Sequence, residues 1–116
     1  MTAIETGSSD PDPSWTPLFT TPRYTDWLSG HGGVAGAAQE VLTAFLGRDT
    51  PAPISVTSPT DPGSTHVYRR WSQITREVID ARSWEGIHFR FSDVDGAQVG
   101  DDLAHYDLRR LRTIGL

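Results

Sequence analysis

The sequence predicts a mainly α-helical domain that can accommodate one short β-hairpin. Two stretches carry apolar residues at helical spacing, and a third follows a good capping residue and ends in arginines. Between the first two stretches, polar and apolar residues alternate over two short runs, a pattern typical of strands. The chain has 116 residues, which is enough for one domain and too few for two.

The N-terminal region is predicted to lack regular structure. Residues 1–13 consist largely of Ser, Asp, Pro and Gly, and we expect a disordered lead-in to a domain over 14–116. Prolines exclude a regular helix over 14–28. The aromatic residues of that stretch indicate an irregular segment packed over a core.

The first helix is predicted over 32–46, with Gly47 and Pro51 as its stop signals. One face of this helix is apolar, as expected of a helix that packs on a core. The residues of that face are Val34, Ala37, Ala38, Val41, Leu42 and Phe45. Small residues at 35–38 predict that a neighbouring helix approaches closely.

Residues 48–65 contain many prolines and glycines and indicate a loop, and the alternating runs 54–57 and 65–68 can pair as a short hairpin. A second amphipathic helix is predicted over 71–84. Its inner face consists of Trp71, Ile74, Thr75, Val78 and Ala81. Ser92 or Asp93 is the expected N-cap of a final helix that runs towards Arg112.

Composition excludes several classes of function. The net charge of −5 argues against a nucleic-acid binder with a broad basic surface. The absence of cysteine excludes disulfides, thiolate nucleophiles and zinc–thiolate sites. No apolar run is long enough to span a membrane, and the first residues lack the features of a signal peptide. We therefore expect a soluble chain, whose location in the cell stays open.

Ser29, Gly30 and His31 form the first candidate constellation, immediately before the first helix. Unpaired N–H groups and the positive dipole end make a helix start an anion site. The serine adds a hydroxyl donor, and the histidine can transfer a proton near neutral pH. The alternative is an N-cap serine, a turn glycine and a surface histidine.

Arg82 and His88 form the second constellation. A guanidinium can hold two oxygens of an oxyanion, and a histidine nitrogen can bond covalently to phosphorus or a similar centre. All ten basic residues of the chain are arginine, the side chain best suited to such contacts. The alternative is that Arg82 pairs with a neighbouring carboxylate and that His88 packs among phenylalanines.

The two constellations together resemble a known family. Residues 28–42, LSGHGGVAGAAQEVL, resemble the Pro-Ser-Gly-His segment of bacterial vanadium haloperoxidase-like proteins. Residues 81–91, ARSWEGIHFRF, are similar to the family's final motif, and 15–18 resemble its lead-in. The sequence thus resembles the C-terminal part of the vanadium-dependent haloperoxidase and type-2 phosphatidic acid phosphatase superfamily, over roughly residues 14–106.

The resemblance implies a partial helical bundle of the haloperoxidase and acid phosphatase type, with an oxyanion in its core. Ser29, Gly30 and Arg82 would then bind vanadate or phosphate, together with His88. The acid–base residue would be His31. His88 would be the axial ligand of the vanadate metal centre in a haloperoxidase, or the phosphate nucleophile in a phosphatase.

The chain departs from the family pattern at several positions. An earlier motif, a lysine followed by Arg-Pro, is missing, because the chain contains no lysine. Leu28 stands where proline is usual, and Ala81 stands where serine is common. The acidic residue often found four positions after the histidine is Ser92 here, and Asp93 follows it.

The expected function is therefore that of a C-terminal fragment of a vanadium-dependent haloperoxidase-like protein, incomplete alone, with vanadate as cofactor and peroxide and halide as substrates. One alternative is a cofactor-free acid phosphatase that hydrolyses phosphomonoesters through a phosphohistidine. Another is a non-catalytic helical interaction module, whose partner is a missing N-terminal half or a second copy. His66 and His105 fit no motif and are expected to be ordinary surface or loop residues.

Overall fold

The computed structural model describes residues 13–115. The predicted lead-in over 1–13 lies outside the described residues, except for Pro13. The elements in chain order are α1 Gly30–Leu46, β1 Asp49–Ser58, β2 Asp61–Arg70, α2 Trp71–Trp84 and α3 Arg90–Thr113. The prediction of a mainly α-helical fold with one hairpin is confirmed.

α1 and α3 lie side by side and parallel. Near the start of both helices, the N–H of Ser29 donates to the carbonyl of Ser92 at 3.2 Å. Further along, a carboxylate oxygen of Glu40 lies 3.1 Å from Nδ1 of His105. The two N-termini, and with them the positive ends of two helix dipoles, therefore meet at one end of the domain.

Glycines bring the backbones of α1 and α3 together. A Cβ atom at Gly36 would lie 2.7 Å from the carbonyl carbon of Ala97, and one at Gly96 would lie 2.5 Å from the carbonyl oxygen of Ser29. No larger residue fits at such separations. The prediction that the small residues at 35–38 admit a closely packed helix is confirmed, and α3 is that helix.

The apolar face of α1 is not the packed face, so this part of the prediction is wrong. Val34 and Phe45 are 73% and 71% exposed, whereas the buried residues of α1 are Gly32 and Gly36. The reason is the close backbone contact with α3, which turns the glycine edge of α1 inwards. The bulky apolar side chains consequently face away from α3.

α2 spans the predicted residues and runs antiparallel to α1. The indole N–H of Trp71, at the start of α2, donates to the carbonyl of Gly47, just after α1, at 2.9 Å. One turn on, the hydroxyl of Thr75 donates to the carbonyl of Ala35 at 3.3 Å. Trp71 and Thr75 are both buried, in agreement with the predicted inner face.

The hairpin forms with the predicted pairing. β1 and β2 are antiparallel, and Ile54, Ser55, Val56 and Thr57 lie opposite Tyr68, Val67, His66 and Thr65. The strands extend beyond the predicted runs and are mostly exposed, apart from Tyr68. Burial, with the hydrogen bond and charge of Glu77, raises the pKa of Tyr68 to about 12.

α3 begins earlier than predicted. Its N-cap is Phe89, and Ser92 and Asp93 lie within the first turn, both fully buried. The expectation that one of them caps the helix is wrong, because α3 already begins at Arg90, two residues before Ser92, and has Phe89 as its N-cap. A carboxylate oxygen of Asp26 accepts from the N–H of Phe89 at 3.1 Å.

The stretch before α1 contains no helix or strand within residues 13–29, as predicted. It is hydrogen-bonded to the domain at several positions, among them Leu18, whose N–H donates to the carbonyl of Glu85 at 3.0 Å. Several of its large side chains are more than half exposed, among them Phe19 and Trp27, so packing over a core is only partial. Among the helices of the described residues, none has the length and apolar character required to cross a bilayer.

Candidate active site

The antiparallel course of α2 places its end beside the starts of α1 and α3. All the predicted site residues lie at this end of the domain: Ser29, Gly30 and His31 at the start of α1, Arg82 near the end of α2, and His88 just before α3. The packing of the three helices therefore brings together positions that are up to 59 residues apart in the chain.

Ser29 is buried and caps α1. Its hydroxyl oxygen accepts from the N–H of Gly32 at 3.1 Å, which leaves the hydroxyl proton unused by this bond. Gly30 and His31 are exposed and line a groove that contains mainly apolar side chains. The capping role and the exposed histidine both agree with the simpler interpretation of this constellation. The start of α1 nevertheless lies at the same end of the domain as Arg82 and His88.

Arg82 and His88 are in contact. The guanidinium Nη2 of Arg82 lies 3.4 Å from Nε2 of His88, and Nη1 lies 3.5 Å from a carboxylate oxygen of Glu85. The Glu85 contact agrees with the alternative in which Arg82 pairs with a neighbouring carboxylate. A third nitrogen, Nε, is buried and has no hydrogen-bond partner among residues 13–115. Such a donor is costly to bury and suits an oxygen ligand.

The tautomer of His88 follows from its two neighbours. Nδ1 lies 2.8 Å from a carboxylate oxygen of Asp93, and both side chains are almost completely buried. An ionised carboxylate only accepts, so Nδ1 carries the proton. Arg82, on the other side, only donates, so Nε2 presents a lone pair. The buried histidine is thus held with its unprotonated nitrogen towards the guanidinium.

Asp93 therefore orients the ring of His88, although it lies one position later than the acidic residue that the family resemblance predicts. Ser92 instead donates its hydroxyl to the second carboxylate oxygen of Asp26. Asp26 thereby holds both ends of the turn from Phe89 to Ser92. Sequence reasoning missed Asp26, and its only local signal was an acidic residue three positions before the capping Ser29.

Tyr24 is a second residue that sequence reasoning did not place in the site. Its hydroxyl accepts from Nη2 of Arg82, and its ring meets the ring of His88 edge-on, with centroids 6.0 Å apart and planes at 83°. Tyr24 also lines the groove, whose volume is about 790 Å³. The walls of the groove come from α1 and α2, with Val34, Ala35, Ala38, Ile74 and Val78 among them.

The donor groups at this end of the domain have a chemistry that suits an anion. They combine a guanidinium with an unpartnered nitrogen, two helix N-termini, a hydroxyl and a histidine lone pair. No cluster of three or more metal-ligating side chains occurs within the described part of the chain. A tetrahedral oxyanion that accepts one further ligand fits this donor set.

The sequence model of the family described as VCPO second helical-bundle domain matches residues 3–114, nearly the whole chain. The chain belongs to this family. It thereby belongs to the vanadium haloperoxidase superfamily and corresponds to its C-terminal part. A comparison with curated proteins found no match.

Solved structures of the superfamily share the fold of this VCPO-type domain. A bacterial vanadium-dependent iodoperoxidase superimposes with a TM-score of 0.72 and 29% identity, over 83% of this chain and 23% of its own. Apo-type and holo-type bacterial vanadium-dependent chloroperoxidases give TM-scores of 0.64 and 0.65 at 20% identity, over 83% and 84% of this chain. The domain thus spans about a quarter of the length of these relatives, 23–24%.

The two histidines that were left outside the motifs lie away from the site. His66 on β2 pairs with Glu77 on α2, and His105 on α3 pairs with Glu40 on α1. Both side chains are at least half exposed. They are ordinary surface residues, as predicted.

Proposed function

We propose that this chain forms the histidine-bearing half of a vanadate site, in a protein that uses hydrogen peroxide to oxidise halide. The observation that carries the proposal is the contact between Arg82 and the buried His88, in which Nε2 lies 3.4 Å from Nη2. A cation beside a nitrogen lone pair that no covalent ligand occupies suits an anionic centre that takes one more ligand. Membership of the family and the 29% identity with an iodoperoxidase support this proposal.

Each residue then has a separate task. His88 would hold vanadate through Nε2, and Arg82 would donate to its oxygens through the guanidinium, including Nε, which has no hydrogen-bond partner among the described residues. Ser29 adds its hydroxyl proton, and Gly30 adds its backbone N–H at the start of α1. His31, exposed at the groove, transfers the proton of the peroxide. When bound, vanadate supplies the electrophilic centre that activates peroxide towards halide.

A phosphatase is the second candidate, because the same donors hold phosphate. Nε2 of His88 would attack phosphorus, the bond to the leaving oxygen would break, and His31 would protonate that oxygen. Water would then release phosphate from the histidine. The lone pair on Nε2, set by the bond between Nδ1 and Asp93, favours this chemistry as much as vanadate ligation.

The site is proposed to be incomplete in this chain. The family's lysine and Arg-Pro motif would add two positive contacts, and the chain contains no lysine. Each hydrogen bond to a charged group contributes about 1.5–3 kcal/mol, so the chain alone should bind an oxyanion much more weakly than a complete site. An N-terminal half, supplied by another chain or a longer protein, is the expected partner.

A non-catalytic interaction module is the candidate from another class. It is favoured by the groove beside α1 and by the exposed apolar residues Val34, Val41 and Phe45. Contiguous apolar surface of this kind typically marks a contact with another helix or chain. A missing N-terminal half or a second copy of the chain would cover it.

Calorimetric titration with orthovanadate and with inorganic phosphate tests the site directly. We expect weak, saturable binding at one site per chain, and loss of that binding in Arg82→Gln. Arg90→Gln is the matched control, because Arg90 is an exposed arginine that pairs with Asp80 rather than with the site. Thermal unfolding of each variant checks that it is folded.

Saturable binding that requires Arg82 and not Arg90 supports the proposal. Absence of binding by the folded chain, or equal binding by the two variants, contradicts it. His31→Ala separates the catalytic assignments, since it should spare binding and reduce turnover in a complete protein. Self-association without oxyanion binding would favour the interaction module.

A further inference from the structure

Tyr24 bridges the two parts of the candidate site. Its hydroxyl accepts a hydrogen bond from Nη2 of Arg82, the nitrogen that also lies 3.4 Å from Nε2 of His88. Its ring meets the edge of His88, with centroids 6.0 Å apart. The same side chain lines the groove together with Gly30 and His31. Tyr24 therefore lies between the buried Arg82–His88 pair and the start of α1.

The hydrogen bonding of Tyr24 leaves its proton free. A phenol hydroxyl has one hydrogen to donate and also accepts, and the contact with Arg82 uses only the accepting side. Accepting from a cation also polarises the O–H bond and strengthens it as a donor. The residue is 52% exposed, so the phenol can reorient its hydrogen without displacing packed neighbours.

Arg82 does not lose its own donor capacity through this contact. Each terminal guanidinium nitrogen carries two hydrogens, so Nη2 can donate one to Tyr24 and transfer the other, now directed at Nε2 of His88, to a ligand that takes up the Nε2 lone pair. Nε is buried without a partner among the described residues. The phenol and the guanidinium can therefore bind the same anion at once.

We propose that the Tyr24 hydroxyl is a further oxyanion-binding group, which donates to one oxygen of the tetrahedral anion held at His88. The proposal rests on the proposed function, since it assigns a donor to the same site. Tyr24 would supply, as a neutral donor, one of the contacts that the absent lysine and Arg-Pro motif would otherwise provide. The Tyr24 donor would favour anions that have an unprotonated oxygen next to the oxygen bound by Arg82.

Tyr24→Phe tests the proposal with almost no change in shape. Calorimetric titration with orthovanadate and with phosphate should show binding weakened by about tenfold or more, the loss expected for one hydrogen bond to a charged ligand. Tyr106→Phe is the matched control. Tyr106 is another half-exposed tyrosine whose hydroxyl accepts from an arginine, Arg110, at 2.9 Å, but it lies on α3 away from the site. This variant should bind like the wild type.

A second measurement distinguishes direct contact between Tyr24 and the anion from a role of Tyr24 that is limited to positioning Arg82. Phosphate titration followed by ultraviolet difference spectroscopy should show a tyrosine signal in the wild type and in Tyr106→Phe. The signal should be absent in Tyr24→Phe. A supporting role alone would weaken binding without perturbing the phenol absorption on titration.

The outcomes distinguish this inference from the function on which it rests. If the wild type binds through Arg82 and Tyr24→Phe binds equally well or more tightly, the inference is wrong and the oxyanion site stands. Tighter binding would mean that the phenol competes with the anion for Arg82. If the wild type binds neither anion, both proposals fail.

Discussion

Asp93→Asn removes the charge that orients His88 and keeps the size of the side chain. In the wild type, a carboxylate oxygen of Asp93 lies 2.8 Å from Nδ1, with side-chain exposures of 1% for His88 and 0% for Asp93. A charge-assisted hydrogen bond contributes roughly twice as much as a neutral one, so the substitution loses about 1 kcal/mol even if the amide oxygen replaces it. Asp93 is also the acidic residue in the first turn of α3, where a negative charge contributes about 0.3–1 kcal/mol.

One effect acts in the opposite direction. The second carboxylate oxygen of Asp93 is buried without a hydrogen-bond partner among residues 13–115, and its desolvation opposes folding. The Asp93 carboxylate is hydrogen-bonded to His88, whose other nitrogen faces Arg82, and it lies in the first turn of α3. We therefore expect these favourable interactions to outweigh the desolvation. The net loss should be about 1–2 kcal/mol, which corresponds to a fall in Tm of about 4–16 °C for a domain of this size.

Thermal and urea unfolding measure this loss, with Asp107→Asn as control. Asp107 is an exposed carboxylate on the same helix, and its neutralisation should change stability by less than about 0.5 kcal/mol. A Tm for Asp93→Asn equal to or above that of the wild type would refute the reasoning, since desolvation would then outweigh the bond to His88. Long-range nitrogen–proton NMR gives an independent check: the wild type should show the proton on Nδ1, and the variant should populate the form with the proton on Nε2.

Two further predictions concern the contacts of α1 and α3. Gly36→Ala should destabilise the fold by about 1–3 kcal/mol despite the higher helix propensity of alanine, because the added Cβ would lie 2.7 Å from the carbonyl carbon of Ala97. Gly33→Ala, with its nearest contact at 3.6 Å, should be neutral or stabilising in the same urea unfolding, and equal losses in both variants would contradict the close-packing argument. Burial, followed by the charges of Glu40 and Asp102, raises the pKa of Asp101 above its ordinary 3.8, although His105 lowers it. The raised folded-state pKa means that ionisation of Asp101 lowers stability as the pH rises, so Asp101→Asn should unfold at a higher temperature than the wild type at pH 7. That difference should shrink as the pH falls towards about 3.8; a difference that does not change with pH would contradict the assignment.

The secondary structure was largely predictable, because its signals are local. Ser29 accepts from an N–H three residues away, and the stop after Leu46 depends on Gly47, which adopts a positive φ of 85°. The pairing of 54–57 with 65–68 follows from alternation and from the turn between the two runs. These interactions join residues at most 14 positions apart in the chain, so the local sequence pattern records them.

The burial of α1 was not predictable from its own pattern. The apolar residues mark an amphipathic helix, but the packed edge is that of Gly32 and Gly36. Periodicity identifies a face that favours burial, and it does not indicate whether another helix approaches by side-chain contact or by backbone contact. Only the partner glycines of α3, Gly96 and Gly100, decide between the two.

The sequence by itself determined the family, the order of the elements and the five residues of the two motifs. The tertiary structure alone decided which side chains serve those motifs. Asp93 rather than Ser92 faces His88, Asp26 secures the turn before α3, and Tyr24 reaches Arg82. The physical reason is that a helix turns by about 100° per residue, so a shift of one position changes the direction of a side chain completely. Which position faces the histidine depends on where α3 begins, and a carboxylate 63 residues earlier in the chain fixes that start.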